Sequence, residues 1–475
     1  MPAKLAEVIR HACAANKNLL FEVLARSIAV PSVSGEEAVQ AGVLAHFFEE
    51  HKIPFARSPE GSLVAILLPS VFSARLAQAS DLPFDRWSEI AREALDLARK
   101  RETRTPEISG QALSVLHDGM PPENSPEKSE KMSETAAKGG LLALNAHMDV
   151  VEAGDPASWT HNPFVATVEK DRIYGRGTCD MKGALAAMAV SLVVGRDLMT
   201  TGYSLHMPVV ACFVPEEERA EGFAFSKLLG HWGFRPTCVL LGEPSSGAIA
   251  RGQRGKLELH LRAQGRRTHT SVPETGENAA TRIAHAALAI DRFDRAERAR
   301  VGSAPASLLE RTTLVMTAMR TLPFHRSFVP DVAEAYVTGR LGRGVTRASL
   351  LEALARDPDW PCDLEIETTV AKQVSKDGGK KEDWLTDHPA WELPIDHPFA
   401  QRVAAVHAEL FGSAPAFAIW PFSTDGVASA GRYGIPTLGY GPGTPETAHI
   451  VDEYVDTDAL MRAFMLYVAL PFAGF

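Results

Sequence analysis

A histidine and an aspartate stand two residues apart at the end of an apolar run, in LLALNAHMDVV, residues 141–151. Residues i and i+2 of a strand share a face, so His147 and Asp149 point the same way where the strand stops. Alone, the pair reads as a polar strand end facing water. Further segments repeat the pattern. Asp180 follows the glycines of YGRGTCDMKG and directly precedes an Ala-rich helical stretch, where by itself it would be a helix N-cap. Glu216, Glu217 and Glu218 follow an apolar run in FVPEEERAEG. Three adjacent like charges repel and would ordinarily form a solvated loop. At the carboxyl end of a buried strand in an α/β sheet, however, they lie where ligands bind, and a cation would relieve the repulsion. Glu243 closes VLLGEPS, and His449 lies beyond the Gly-Pro-Gly turn of GYGPGTPETAHIVDEYV. These are nitrogen and oxygen donors of the kind zinc accepts and cobalt or manganese can use. Two histidines and three carboxylates can hold two metal ions with one carboxylate shared, leaving a glutamate free as a base.

The elements that must position these residues follow from hydrophobic patterning. LLALNAHMDVV, LHMPVVACFV and PTCVLLGE read as strands, MKGALAAMAVSLVVGRDL and FAFSKLLGHWG as helices. Near-continuous apolar strands alternating with helices predict a largely parallel sheet covered on both faces. The pattern changes at KLELHLRAQG, which alternates with period two as a half-exposed antiparallel strand does. A helix, two strand-like pieces (TTLVMTAM and AEAYVTGRL) and the helical RASLLEALARD follow. This predicts a smaller α+β domain over 256–362, inserted into a larger one made of 1–255 and 363–475. Residues 72–139 look like an elaboration. FDRWSEIAREALDLARKRE carries Phe84, Trp87, Ile90, Ala91, Ala94, Leu95 and Ala98 on one helical stripe, which reads as core packing. The Pro-, Ser-, Glu- and Lys-rich PPENSPEKSEKMSETAAKGG reads as a surface loop.

A chain of 475 residues exceeds one ordinary core, and 45% hydrophobic with 23% charged residues is the balance of a globular protein. The net charge of −10 gives no footing for nucleic acid or an anionic membrane surface. No uninterrupted apolar run approaches the roughly 20 residues needed to span a bilayer, and the amino-terminal stretch reads as an amphipathic helix, not a signal peptide. Five irregularly spaced cysteines without a CxxC argue against a disulfide framework and fit a reducing, cytoplasmic setting.

The motifs HMDVV, W…NPF…DRIYGRGTCDMKG, PEEE, GEPS, GRRTHTSVPETGENA and GPG…AH…DEYV, in this order, resemble those of the co-catalytic zinc peptidases and deacylases. That family includes acetylornithine deacetylase, succinyl-diaminopimelate desuccinylase, aminoacylase and glutamate carboxypeptidase. The resemblance spans nearly the whole chain except 72–139. ARGQRGKLEL and FSTDGVASAGRYGIPTLGYGPG are most similar to a subgroup of selenium-metabolism-associated hydrolases. The resemblance implies a three-layer α/β catalytic domain with an inserted α+β lid that mediates homodimerisation. It implies two divalent ions, zinc foremost, with His147 and Glu243 at one, Glu218 and His449 at the other, and Asp180 bridging. Asp149 would orient His147, Glu217 would be the general base acting on a water shared by the ions, and a cis peptide would follow Asp180. The family writes Asp-Glu-Glu where this chain has Glu216-Glu217-Glu218, so the assignment depends on that register. His269, in THTS, would reach the partner subunit's active site and stabilise the oxyanion. Arg340, in VTGRL, would hold a substrate carboxylate, with the turn Gly441 to Gly443 bringing backbone N–H groups close. Ser327 and Thr338 depart from the family's Asn and acidic residue, which bears on the substrate more than on the reaction.

The implied reaction is hydrolysis of an amide in an N-acyl amino acid or a small peptide-like compound. A dipeptidase or carboxypeptidase would use the same chemistry. A two-metal phosphoesterase lacks support, because no Gly-rich phosphate cradle accompanies the donors. A catalytically inactive scaffold should have lost the base or a ligand, and this chain keeps them all.

Overall fold

The computed structural model describes residues 3–68, 84–91, 140–230, 235–302, 307–375 and 381–473. Its large sheet has nine strands. From edge to edge they run Phe55–Arg57, Leu63–Leu67, Val209–Val214, Leu142–His147, Cys238–Pro244, Thr437–Gly441, Ile249–Gln253 and Trp391–Glu392, with Phe417–Trp420 beside Ile249–Gln253. Val209–Val214, Leu142–His147, Cys238–Pro244 and Thr437–Gly441 are mutually parallel. The flanks add antiparallel pairs, so the sheet is mixed with a parallel centre. The carboxyl ends of those four central strands form one rim.

Alternation within the strands explains the layers. Leu142, Leu144 and Ala146, with Val209, Ala211 and Phe213, join a core with the helices Ala3–Ala15, Lys17–Ile28, Gly183–Thr200, Pro398–Phe411 and Thr457–Ala469. Leu141 and Ala143, with Val210, Cys212 and Val214, face a second core on the other side, shared with the helix Phe223–Gly230 and with Trp384, Trp391 and Trp420. A strand apolar at every position is therefore a strand covered twice. Residues 84–91 are helical, and Phe84, Trp87 and Ala91 are buried in this second core with Ile90 against it. Ala94, Leu95, Ala98 and residues 121–139, the stretch read as a surface loop, lie outside the described residues.

The segment Thr178–Thr200 is long and apolar enough to cross a membrane, but 78% of its apolar window is buried inside the fold. It packs against the helices Lys17–Ile28 and Thr457–Ala469 at the centre of the first core. The amino-terminal helix is amphipathic, with Leu5, Ala6, Ile9 and Cys13 buried. All five cysteines are free thiols, and Cys362 alone is exposed.

The smaller sheet is antiparallel, in the order Thr313–Thr321, Val332–Leu341, Gly255–Gln264, Glu365–Thr368, with Asp387–His388 also paired to Gly255–Gln264. The strand Gly255–Gln264 alternates between buried and half-buried residues, ending on the exposed Gln264. Leu257, Leu259, Leu261 and Ala263 face the helix Ala279–Val301 in a separate core. Asn278 caps that helix by accepting the Ala280 N–H, and Thr346 and Ser349 form a capping box on Arg347–Ala355. The strand Glu365–Thr368 belongs to this sheet and lies past residue 362, where sequence patterning placed the boundary.

Candidate metal centre

Four parallel strands ending at one rim bring the polar strand ends together. His147 is the last residue of its strand and almost fully buried. Its Nδ1 lies 2.9 Å from Asp149 O and 3.5 Å from Asp149 Oδ1. Its Nε2 lies 2.9 Å from Asp180 Oδ1 and 3.8 Å from Glu243 Oε1. His449, half-exposed at the mouth, places Nε2 3.2 Å from Asp180 Oδ2 and 2.9 Å from Glu218 Oε1. The two oxygens of Asp180 thus face different histidines. One atom each from His147, Glu217 and Glu243 lies within 4.8 Å of the others, as does one each from His147, Asp180 and Glu218.

Each side chain is held from behind. The Asp149 carboxylate accepts N–H groups from Glu217 and Glu218, both at 3.1 Å, and the Ser34 hydroxyl at 2.6 Å. The backbone before the long helix folds back so that Cys179 and Asp180 donate their N–H groups to Glu453 Oε1 at 2.9 and 3.0 Å. Arg176 Nη1 holds Glu453 Oε2 at 2.6 Å, and both side chains are buried. The Asp180–Met181 peptide is cis. Asp425 accepts from Asn145 Nδ2 and from the Gly222 N–H, tying the end of the glutamate loop to the sheet. Burial pushes its carboxyl up to about 6 against the hydrogen bond from Asn145.

The electrostatics describe a site short of positive charge. Burial, and then the charge of Glu243, push the Glu217 carboxyl well above the usual range. Burial and Asp180 do the same to Glu243, and raise Glu218 as well. Glu217 Oε1 is buried without a hydrogen-bond partner. Burial would lower the pKa of His147, but hydrogen bonds to Asp149 and Asp180 outweigh it and hold the imidazolium well above its usual range. Hydrogen bonds to Asp180 and Glu218 lift His449 to about 10. Buried carboxyls pushed above their usual range, one with an orphaned oxygen, beside two imidazoles are a donor set that fits divalent cations.

The remaining expected residues lie elsewhere. His269 is exposed on a two-residue strand and its Nδ1 is 2.8 Å from Ser271 Oγ, away from His147 and its neighbours. Arg340 stands on the small sheet with Nη1 buried and unpartnered. Arg254 donates to the carbonyls of Arg340 and Arg311, and burial together with those two guanidiniums lowers it to about 10. Gly441 gives its N–H to Ser245 Oγ at 3.2 Å, and a Cβ there would strike Gly242 O and Glu243 O. Gly443 has φ of 85°, and a Cβ would meet Cys179 Sγ at 2.6 Å. Close backbone packing thus accounts for Gly441, and a left-handed backbone against the Cys179 side chain for Gly443. Sequence reasoning missed Ser34, Glu453, Arg176, Asn145, Asp425 and Arg254. All but Ser34 stand inside quoted stretches, Asn145 beside the strand-end pair, Arg254 and Asp425 in the two subgroup-like segments, and that was the available signal.

Carboxylates and imidazoles gathered on a strand rim are the equipment of a metal-dependent hydrolase. The sequence profile of Peptidase family M20/M25/M40 matches residues 143–472, and the chain belongs to that family of hydrolases acting on amide and peptide bonds. It is 28% identical over 338 residues to the uncharacterized protein YgeY of Escherichia coli K12, covering 70% of this chain and 80% of that one. It is 33% identical over 150 residues to a probable succinyl-diaminopimelate desuccinylase of Staphylococcus aureus, covering 31% and 36%. Among solved structures, the YXEP protein of Bacillus subtilis, a dinuclear metal binding peptidase of the M20 family, superposes with a TM-score of 0.59 at 14% identity, covering 97% and 98%.

Proposed function

We propose that the protein hydrolyses the amide bond of N-acyl amino acids, releasing a carboxylate and an amine. The observation that carries this reading is the Glu217 carboxyl, buried with its Oε1 unpartnered, among His147, Glu243 and their neighbours. His147, Asp180 and Glu243 would hold one divalent ion, and Glu218, His449 and the second oxygen of Asp180 the other. Zinc suits this set, with cobalt or manganese as alternatives. When bound, such ions acidify a water and polarise the scissile carbonyl. Glu217 takes the proton of the attacking water and later passes it to the leaving amine, as general base and then general acid. Asp149 orients the His147 ring from behind. Arg340, with an unpaired Nη1 and two more guanidiniums nearby, offers an α-carboxylate a planar, bidentate partner. In a homodimer, His269 of the partner subunit would donate to the developing oxyanion. The likeness to a desuccinylase supports an acyl substrate.

The test is a panel of N-acyl amino acids and dipeptides given to protein reloaded with zinc, cobalt or manganese. Turnover of an N-acyl amino acid, reduced about 10²–10⁴-fold in Glu217→Gln, is the expected result. Turnover of dipeptides alone would assign the same machinery to a peptidase.

A further inference from the structure

The loop that carries Glu217 begins on a constrained backbone. Glu216 has φ of 60°, a conformation that non-glycine residues keep only where their surroundings hold them in it. Part of that hold comes from the large domain, where Glu37 Oε1 accepts the Glu216 N–H at 3.0 Å. A further part comes from a hairpin, Val370–Ser375 with Lys381–Leu385, which lies between two strands of the small sheet, Glu365–Thr368 and Asp387–His388. Lys372 of the hairpin forms an ion pair with the Glu216 carboxylate, and its ammonium lies 4.8 Å over the Phe223 ring. Trp384, on the other strand, packs edge-on against the same ring at 5.5 Å. Its indole N–H donates to Glu221 O at 3.1 Å. The hairpin therefore grips the loop at Glu216 and at Glu221, with Glu217 and Glu218 between.

We propose that this hairpin is a brace that sets the positions of Glu217 and Glu218, and that Lys372 is a positioning residue acting through Glu216. This rests on the reading of Glu217 as base and Glu218 as metal donor. The Glu216 side chain is 14% exposed and that of Lys372 27%. Without Lys372, a poorly hydrated carboxylate would remain next to Glu37, a carboxylate that itself feels the charge of Lys372. The available relief is rotation of Glu216 toward water. That rotation turns the following peptide units, whose N–H groups are seated on Asp149. Glu217 and Glu218 would then leave the geometry on which catalysis and metal binding depend.

The test uses the full chain with Lys372→Met, Lys372→Arg, Glu216→Gln and the Lys372→Met/Glu216→Gln double variant. Three readouts apply: kcat and KM on a panel substrate, zinc affinity of the metal-free protein against a chromophoric chelator, and thermal melting. A misplacement of this kind costs about 10–100-fold in kcat, with KM within roughly twofold if binding is untouched, and weaker zinc binding is expected alongside. Lys372→Arg should restore most of both, and the double variant should be no worse than Lys372→Met, as one shared interaction requires. Wild-type kcat and zinc affinity in Lys372→Met, or single effects that multiply in the double variant, would overturn the brace. So would a lowered melting temperature with kcat and zinc affinity unmoved. If Lys372→Met does not fold, Glu216→Gln carries the test, and wild-type values there overturn it. Failure of the underlying reading looks different: the wild type would turn over no panel substrate, or Glu217→Gln would keep full turnover, while zinc affinity of the Lys372 variants still reports on the brace.

Discussion

The imidazoles of His147 and His449 decide how the centre responds to pH. Both are held above their usual range, His449 at about 10. A raised imidazolium stabilises the fold fully below its unfolded value of about 6.5 and loses that contribution as pH rises through the folded value. The metal-free protein should therefore lose stability between about pH 6.5 and 10, read by denaturation at a series of pH values. Metal binding needs neutral imidazoles, so zinc uptake near pH 7 should release roughly one or two protons per chain from the histidines. Calorimetric titration in buffers of different ionisation enthalpy measures that number. His147→Ala should lower both the proton release and the bound metal, from about two ions per chain, by elemental analysis. At this scale the clustered acids and histidines were legible as candidates because an acid or histidine at the end of an apolar strand is conspicuous. The roles of Ser34 and Asp425 were not, since each is defined by a partner far along the chain. Their partners lie 115 residues away for Ser34 to Asp149, and 280 for Asn145 to Asp425.

The segment entering the long helix shows how an element is held in register. Glu453 takes two backbone N–H groups at its start and is balanced by buried Arg176. Removing one partner of a buried pair leaves an uncompensated charge, worth about 3–5 kcal/mol. Arg176→Met should cost stability on that order in chemical denaturation and also weaken zinc binding, because Asp180 rides on the same turn. Helices and strands were legible wherever periodicity was clean, as in the alternating Gly255–Gln264 and the uniformly apolar Val209–Val214. The hairpin of residues 370–385 escaped notice. Its Asp377-Gly378-Gly379 stretch is a turn signal, but its charged strands lack the apolar alternation that draws attention.

At the scale of the molecule, the small sheet presents Thr313–Thr321 as an edge strand, with Val315 and Met319 both 55% exposed. Exposed strand edges pair with other chains unless blocked, in keeping with the proposed homodimer. Sedimentation should give twice the mass of one chain. Met319→Lys should shift it toward the monomer, with kcat falling in step if His269 works across the interface. The change to a second, antiparallel sheet was legible because the hydrophobic period changes at residue 256. The return point was not, since Glu365–Thr368 is short and draws its pairing from a strand a hundred residues earlier. Distance along the chain also sets the order in which the centre can be made. His449 meets Glu218 across 231 positions. At about 5–20 residues per second during synthesis, the stretch from Glu243 to His449 takes on the order of 10–40 s. Over that interval the nascent chain carries its acidic cluster with one histidine only, so complete metal loading belongs to the finished chain.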